Sequence, residues 1–204
     1  MITNHANKRS RRSVFTVNPT RCAWVNTDPL YIAYHDEEWG KPLYDDQKLF
    51  ELLMLEGMQA GLSWYTILKK RESFREAFDQ FDPRKIVLYG PDKVEELMQN
   101  PGIVRNRLKI QAVITNAQIY LDIAKDSGSF AKYLWGFVDG KPIVNHWESI
   151  ASVPASTPLS DAMSKVLKKK GMKFVGSTIL YAFMQASGMV NDHTLDCFCR
   201  SGKA

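Results

Sequence analysis

The chain has 204 residues, 45% of them hydrophobic and 24% charged, the balance of a soluble globular protein with enough length to bury a real core. That composition excludes collagen, coiled coil and wholesale disorder. The net charge of +5 is mostly local: residues 1–20 hold Lys8, Arg9, Arg11 and Arg12 with no acid, which leaves +1 for the body.

Residues 1–20 are expected to form a basic, disordered tail. They lack the apolar stretch of a secretory signal, and no later run approaches the roughly 20 apolar residues that span a bilayer. A cytoplasmic location with no membrane partner follows as the expectation. Three cysteines in a reducing compartment are better read as free thiols or metal ligands than as disulfides.

After the tail, residues 21–44 are aromatic and irregular, with Pro29, Gly40 and Pro42 as breakers. Asp45 is a candidate N-cap for "DQKLFELLMLEG", which has helical spacing and stops at Gly57. Ser63 caps "WYTILKKRESFREAF", and Pro83 and Pro91 start two shorter helices. "VRNRLKIQAVITNAQIYLDIAK" predicts a long amphipathic helix with Val104, Leu108, Ala112, Thr115 and Ile119 down one side and Gly128 beyond its end. Segments 129–137, 160–170 and 176–187 complete a set of seven to nine helices. Strand-like alternation is almost absent, so the predicted fold class is all-α.

Charge is segregated along this pattern. Residues 36–56 carry seven acids against Lys41 and Lys48, whereas 97–121 carry Arg105, Arg107 and Lys109 without an acid. Lys165, Lys168, Lys169, Lys170 and Lys173 form a second basic cluster. A basic face for a polyanion and a solvated lysine-rich helix end both fit that pattern.

Near the C-terminus, "NDHTLDC" sets His193 and Cys197 four residues apart without a second pair nearby. The other well-spaced candidates in the body, Cys22 and His35, lie at its opposite end. Together the four make a Cys2His2 set suited to Zn²⁺, which would close one large loop. Cys199 is a rival ligand. A surface histidine with buried small thiols also fits the spacing.

Glu56 is the other anomaly. Seven residues beyond Leu49, at about 100° per residue, it returns to within roughly 20° of the apolar face of its helix. A carboxylate buried there costs several kcal/mol unless it meets donors or a cation. The competing picture is a helix that frays before Gly57 and leaves Glu56 in water. Residues 24–81 also hold 11 of the 23 aromatics; among them Trp24, Tyr31, Tyr34, Trp39 and Trp64 are candidates to wall a flat, electron-poor ring such as an alkylated purine.

The stretches "RCAWVNTDPLYIAYHDEEWG", "LEGMQAGLSWYTILKKRESFREAF", "GIVRNRLKIQAVITNA" and "KFVGSTILYAFMQASGMVNDH", with the closing cysteine, resemble the bacterial 3-methyladenine DNA glycosylase I family from Arg21 to about Cys199. The resemblance implies a helix-hairpin-helix glycosylase fold, with 21–204 a single domain of two helical lobes around a base-binding cleft. It implies one structural Zn²⁺ on Cys22, His35, His193 and Cys197, joining the N- and C-terminal segments. It also implies a base pocket of Glu56, Tyr34 and Trp64, extended by Trp24, Tyr31 and Trp39.

The implied activity is hydrolysis of the N-glycosidic bond of N3-methyladenine in double-stranded alkylated DNA by a monomeric enzyme that flips the base, releases it free and leaves an abasic site. Stacking of the base between Tyr34 and Trp64 is the expected pose, with Glu56 as an acceptor-only carboxylate. "QAGLS" is similar to the loop the family inserts into DNA, which makes Gln59, Gly61 and Leu62 the wedge. "KKKGMKFVGSTIL" takes the hairpin place, with Lys173 and Gly176 as phosphate-side candidates, but departs from the superfamily's glycine-rich consensus. Asp192 stands near the superfamily's usual catalytic aspartate, yet it abuts the metal motif. A zinc-stapled DNA-binding regulator and a cysteine-dependent hydrolase are the rival readings.

Overall fold

The computed structural model describes residues 19–201, so nearly all of the expected basic tail lies outside it. Nine α-helices carry these residues: α1 (Pro29–Glu37), α2 (Asp46–Gln59), α3 (Trp64–Ala77), α4 (Pro83–Ile86), α5 (Pro91–Gln99), α6 (Arg107–Ser127), α7 (Phe130–Trp135), α8 (Pro158–Lys169) and α9 (Ser177–Ala186).

Local chemistry explains most boundaries. Asp45 accepts from Lys48 N (2.8 Å), Ser63 from Thr66 N (3.2 Å) and Asn106 from Lys109 N (3.1 Å), each side chain satisfying an otherwise orphaned first-turn donor. Thr157 and Ser160 form a reciprocal capping box on α8. Gly128 closes α6 in the left-handed region, at φ 84°.

Three expectations need correction. Pro29 is not a breaker but the first residue of α1, capped by Asp28, because proline's fixed φ suits that position and its missing N–H is not needed there. Tyr31, Tyr34 and His35 therefore project from a helix and not from a loop. Helix α2 runs past Gly57 to Gln59. Two short strands, β1 (Ile143–Val144) and β2 (Val190–Asn191), pair in parallel; two residues are too few to leave an alternating pattern.

Helix α2 occupies the centre, packed by α3, α6, α7 and α9. Its Leu49, Phe50, Leu53, Met54, Leu55 and Met58 enter the main core, whereas Cys22, Tyr34, Trp39, Leu68, Ala186 and Cys197 form a second, smaller cluster. The candidate site lies beside that second cluster. Loop 39–43 crosses the turn after α9 so closely that a Cβ at Gly188 would stand 2.3 Å from the Lys41 carbonyl carbon; φ there is also +71°. Only glycine fits.

Candidate functional site

The four residues proposed as metal ligands converge. Cys22, His35, His193 and Cys197 are all buried, and their ligand atoms lie within 4.8 Å of one another. Cys22 Sγ is 3.5 Å from His193 Nδ1; Cys197 Sγ is 3.4 Å from both His193 Nδ1 and His35 Nε2.

The outer partners fix which nitrogen faces the cluster. His35 Nδ1 donates to Asp36 Oδ1 (2.7 Å), which leaves Nε2 as an acceptor, and His193 Nε2 donates to Trp39 O (3.2 Å), which leaves Nδ1. Metal-ligating histidines in other proteins are oriented in the same manner, the second ring nitrogen donating to a carboxylate or a backbone carbonyl. Asp36 is itself gripped by Arg21 (Nη2–Oδ2 2.6 Å); burial pushes its carboxyl up, but Arg21 and His35 outweigh this and hold it below the usual range.

Two thiolates this close repel each other. The neighbouring Cys197, with burial, pushes the Cys22 thiol up, whereas Cys197 itself is held low beside Cys22. A divalent cation is the group that would let both ionise. Cys199 stays out of this set: its Sγ lies 3.9 Å from His35 Nδ1, the nitrogen turned away from the other ligands.

A cavity of about 380 Å³ opens next to the cluster, within the usual size of small-molecule sites. Glu56 and all five candidate aromatics line it: Trp24, Tyr31 and Tyr34 from the α1 region, Trp39 after α1, and Trp64 at the start of α3. Gln59 lines it too. Glu56 is 3% exposed and its Oε2 has no hydrogen-bond partner, and Trp64 Nε1 is likewise buried without one. Buried polar atoms in native structures are almost always paired, so an orphaned acceptor and an orphaned donor on one pocket's wall point to a polar ligand. Burial raises Glu56 to about 8. Its acid form is therefore favoured in the free pocket at neutral pH, and a cation or N–H donors are needed to make it the carboxylate that the sequence reading assumed.

The aromatic geometry corrects one expectation. Tyr34 and Trp64 touch each other, with ring centroids 5.4 Å apart and planes inclined by 44°. A base sandwiched between them needs two contacts of about 3.5 Å, or roughly 7 Å between parallel rings. They form instead one corner of a wall. Trp24 extends it, tilted against Tyr31 (5.1 Å) and edge-on to Trp39 (5.1 Å).

Sequence reasoning missed the opposite wall, made by Thr178, Tyr181, Ala182 and Gln185 of α9 and by Ile150, Val153, Pro154 and Ala155. The i, i+4 pair Tyr181 and Gln185 was the available signal, since both are polar on a helix otherwise rich in core residues. Asp192 anchors that wall: it accepts from Tyr181 Oη (2.5 Å), Gln185 Nε2 (2.7 Å), Asn145 Nδ2 (2.7 Å) and Trp147 Nε1 (2.8 Å). With four donors engaged it is a structural carboxylate.

The other candidates are split. Gly61 and Leu62 lie in the exposed turn between α2 and α3, outside the pocket, with Leu62 43% exposed. Lys173 is exposed in the loop between α8 and α9, and Gly176 is the N-cap of α9.

Comparison with known proteins matches the chain to one family over nearly all of the described residues. The family model for methyladenine glycosylases matches residues 24–200. DNA-3-methyladenine glycosylase 1 of Escherichia coli is 54% identical over 182 residues, 89% of this chain and 97% of that one. A crystal structure of a 3-methyladenine DNA glycosylase I, 56% identical, superposes with a TM-score of 0.87 over 89% of this chain and 100% of its own. Another, a tyrosine-to-phenylalanine variant in complex with 3-methyladenine, is 41% identical with a TM-score of 0.86, covering 88% of this chain and 97% of its own. By sequence and by fold, the chain belongs to the 3-methyladenine DNA glycosylase I family.

Proposed function

We propose that this chain is a monofunctional DNA-3-methyladenine glycosylase, a base-excision repair hydrolase acting on N-glycosyl bonds of alkylated DNA. The observation that carries the reading is the buried, unpartnered Glu56 inside an aromatic pocket.

N3-methylation leaves adenine cationic, so the base is a good leaving group and selection is the harder task. The damaged nucleotide flips out of the duplex into the pocket. Its positive ring lies against the Tyr34–Trp64 corner and the Trp24 and Tyr31 faces, where π-clouds attract a cation. The ring's charge draws Glu56 to its ionised form, and the carboxylate then accepts from adenine N–H groups. A guanine-type edge presents a carbonyl there instead, a mismatch worth about 1–3 kcal/mol. The bond from C1′ to the base nitrogen breaks with its electron pair leaving on the base; water adds its oxygen to C1′ and gives up a proton, so the products are the free base and an abasic site. No lysine is among the residues lining the pocket, which supports hydrolysis over Schiff-base chemistry.

The Cys2His2 set fits one structural Zn²⁺. From a Zn–S length of about 2.3 Å and Zn–N of about 2.05 Å, a tetrahedron has S···N edges of roughly 3.6 Å, and the observed edges are 3.4–3.5 Å. Cys22, His35, His193 and Cys197 would hold it, and its contribution is to fold stability. Residues 21–204 act as one domain of two helical lobes around the cleft, α8, α9 and their connection serving as the hairpin. Gln59, Gly61 and Leu62 wedge the duplex while Lys173 and the Gly176 end of α9 meet phosphate. The enzyme works as a cytoplasmic monomer; among the described residues no helix is long and apolar enough to cross a membrane.

Incubation with methylated duplex DNA tests the reading. Free 3-methyladenine and alkali-labile abasic sites are the expected products. Zero release by protein with full metal content would instead favour the DNA-binding regulator.

A further inference from the structure

Lys109 and Asn116 stand seven residues apart on α6, about 20° from one another around the helix, and both are buried, at 7% and 2% exposure. Neither lines the base pocket or belongs to the Cys2His2 set. The reaction chemistry above leaves them unused.

Lys109 Nζ donates to Met58 O (2.8 Å) and Ala60 O (2.7 Å). These carbonyls sit at the C-terminal end of α2, where the last turn lacks intrahelical donors and the helix dipole favours a cation. They also flank Gln59 and open the exposed turn that contains Gly61 and Leu62. Asn116 grips the other proposed DNA-facing segment: its Nδ2 donates to Lys173 O (2.9 Å) and its Oδ1 accepts from Lys173 N (2.8 Å), a two-point pairing like one rung of a sheet. Between these two holds, α2 meets the α8–α9 loop directly. A Cβ added at Gly57 would come within 3.3 Å of Phe174 Cβ.

An ammonium is an expensive way to fill a buried position, and burial lowers the Lys109 pKa accordingly. A methionine would pack there without that cost but would leave two carbonyls orphaned. A buried polar pair is therefore most useful where it specifies geometry.

We propose that Lys109 and Asn116 are positioning residues for duplex engagement, α6 acting as a ruler that fixes the 59–62 turn and the 170–176 loop at one separation so that both meet the same stretch of DNA. The proposal rests on the glycosylase reading. Both residues act through the backbone they hold and touch neither base nor sugar.

Single-turnover excision from methylated duplex DNA, followed against enzyme concentration, tests this for the full chain and for Lys109→Met and Asn116→Ala. Affinity for free 3-methyladenine and melting temperature are measured alongside. The half-saturating concentration should rise on the order of tenfold in each variant, with the maximal rate and the free-base affinity held within about twofold. Lys109→Gln keeps one donor and should fall between the wild type and Lys109→Met; it decides the matter if Lys109→Met does not fold. Unchanged half-saturation in a folded variant overturns the proposal. So does a free-base affinity that falls in step with duplex affinity, since Lys109 would then be supporting the pocket alone. Failure of the glycosylase reading looks different: the unaltered chain would release no base.

Discussion

Glu56 combines near-complete burial, an unpartnered Oε2 and a raised pKa of about 8 against an ordinary 4.5. Because the folded-state value is the higher one, the neutral acid's contribution to stability is fully present below about pH 4.5 and is lost as pH rises through about 8. The advantage of Glu56→Gln in melting should therefore widen across that window by about 1.4 kcal/mol per pH unit and level off above it. A difference that ignores pH would show a solvated carboxylate. The same substitution removes a charge-assisted acceptor, so affinity for free 3-methyladenine should drop roughly ten- to hundredfold; calorimetry with unchanged affinity would refute the role. The inward aim of Glu56 was legible from its seven-residue spacing to Leu49. Its lack of any partner was not, because that depends on which neighbours fail to arrive.

At the scale of elements, the caps of α2 and α3 and the prolines that open α4 and α5 were legible, Pro29 and the helix faces less so. The stripe assigned to α6 included Leu108 and Thr115, both exposed, whereas Ile110, Val113, Asn116, Ala117 and Tyr120 are buried. These buried positions repeat at three and four residues too, and packing by α2, α4, α5 and α7 decides which stripe goes inside. The junction of α2 and α7 shows another contact invisible in sequence: the Asp46 carboxylate accepts from Phe130 N (3.0 Å) and Ala131 N (2.8 Å) across 84 and 85 residues. Asp46→Ala leaves two first-turn donors unpaired, at a cost of about 1–3 kcal/mol. With 2–4 °C per kcal/mol for a chain of this size, the melting temperature should fall by roughly 2–12 °C. An unaltered melting curve would mean that water replaces the carboxylate without loss.

For the whole molecule, the Cys2His2 set joins the two ends of the described chain, Cys22 and His193 being 171 residues apart. A metal held there would close a loop of that length and remove unfolded-state entropy worth on the order of 5 kcal/mol by the cross-link analogy. Cys22→Ser should lose bound metal and lower the melting temperature by on the order of 10 °C, whereas Cys199→Ser should leave metal content intact. Full metal occupancy in Cys22→Ser would remove the basis for the staple. By itself the sequence determined the helical class, most helix ends and the inward acid, since capping bonds and periodicity act over three to seven residues. The tertiary structure alone decided that Cys197 and not Cys199 completes the cluster, that Tyr34 and Trp64 make a corner and not a slot, and that α9 with residues 150–155 supplies the far wall. Those outcomes depend on distant segments meeting at specific angles, which packing fixes and local pattern does not encode.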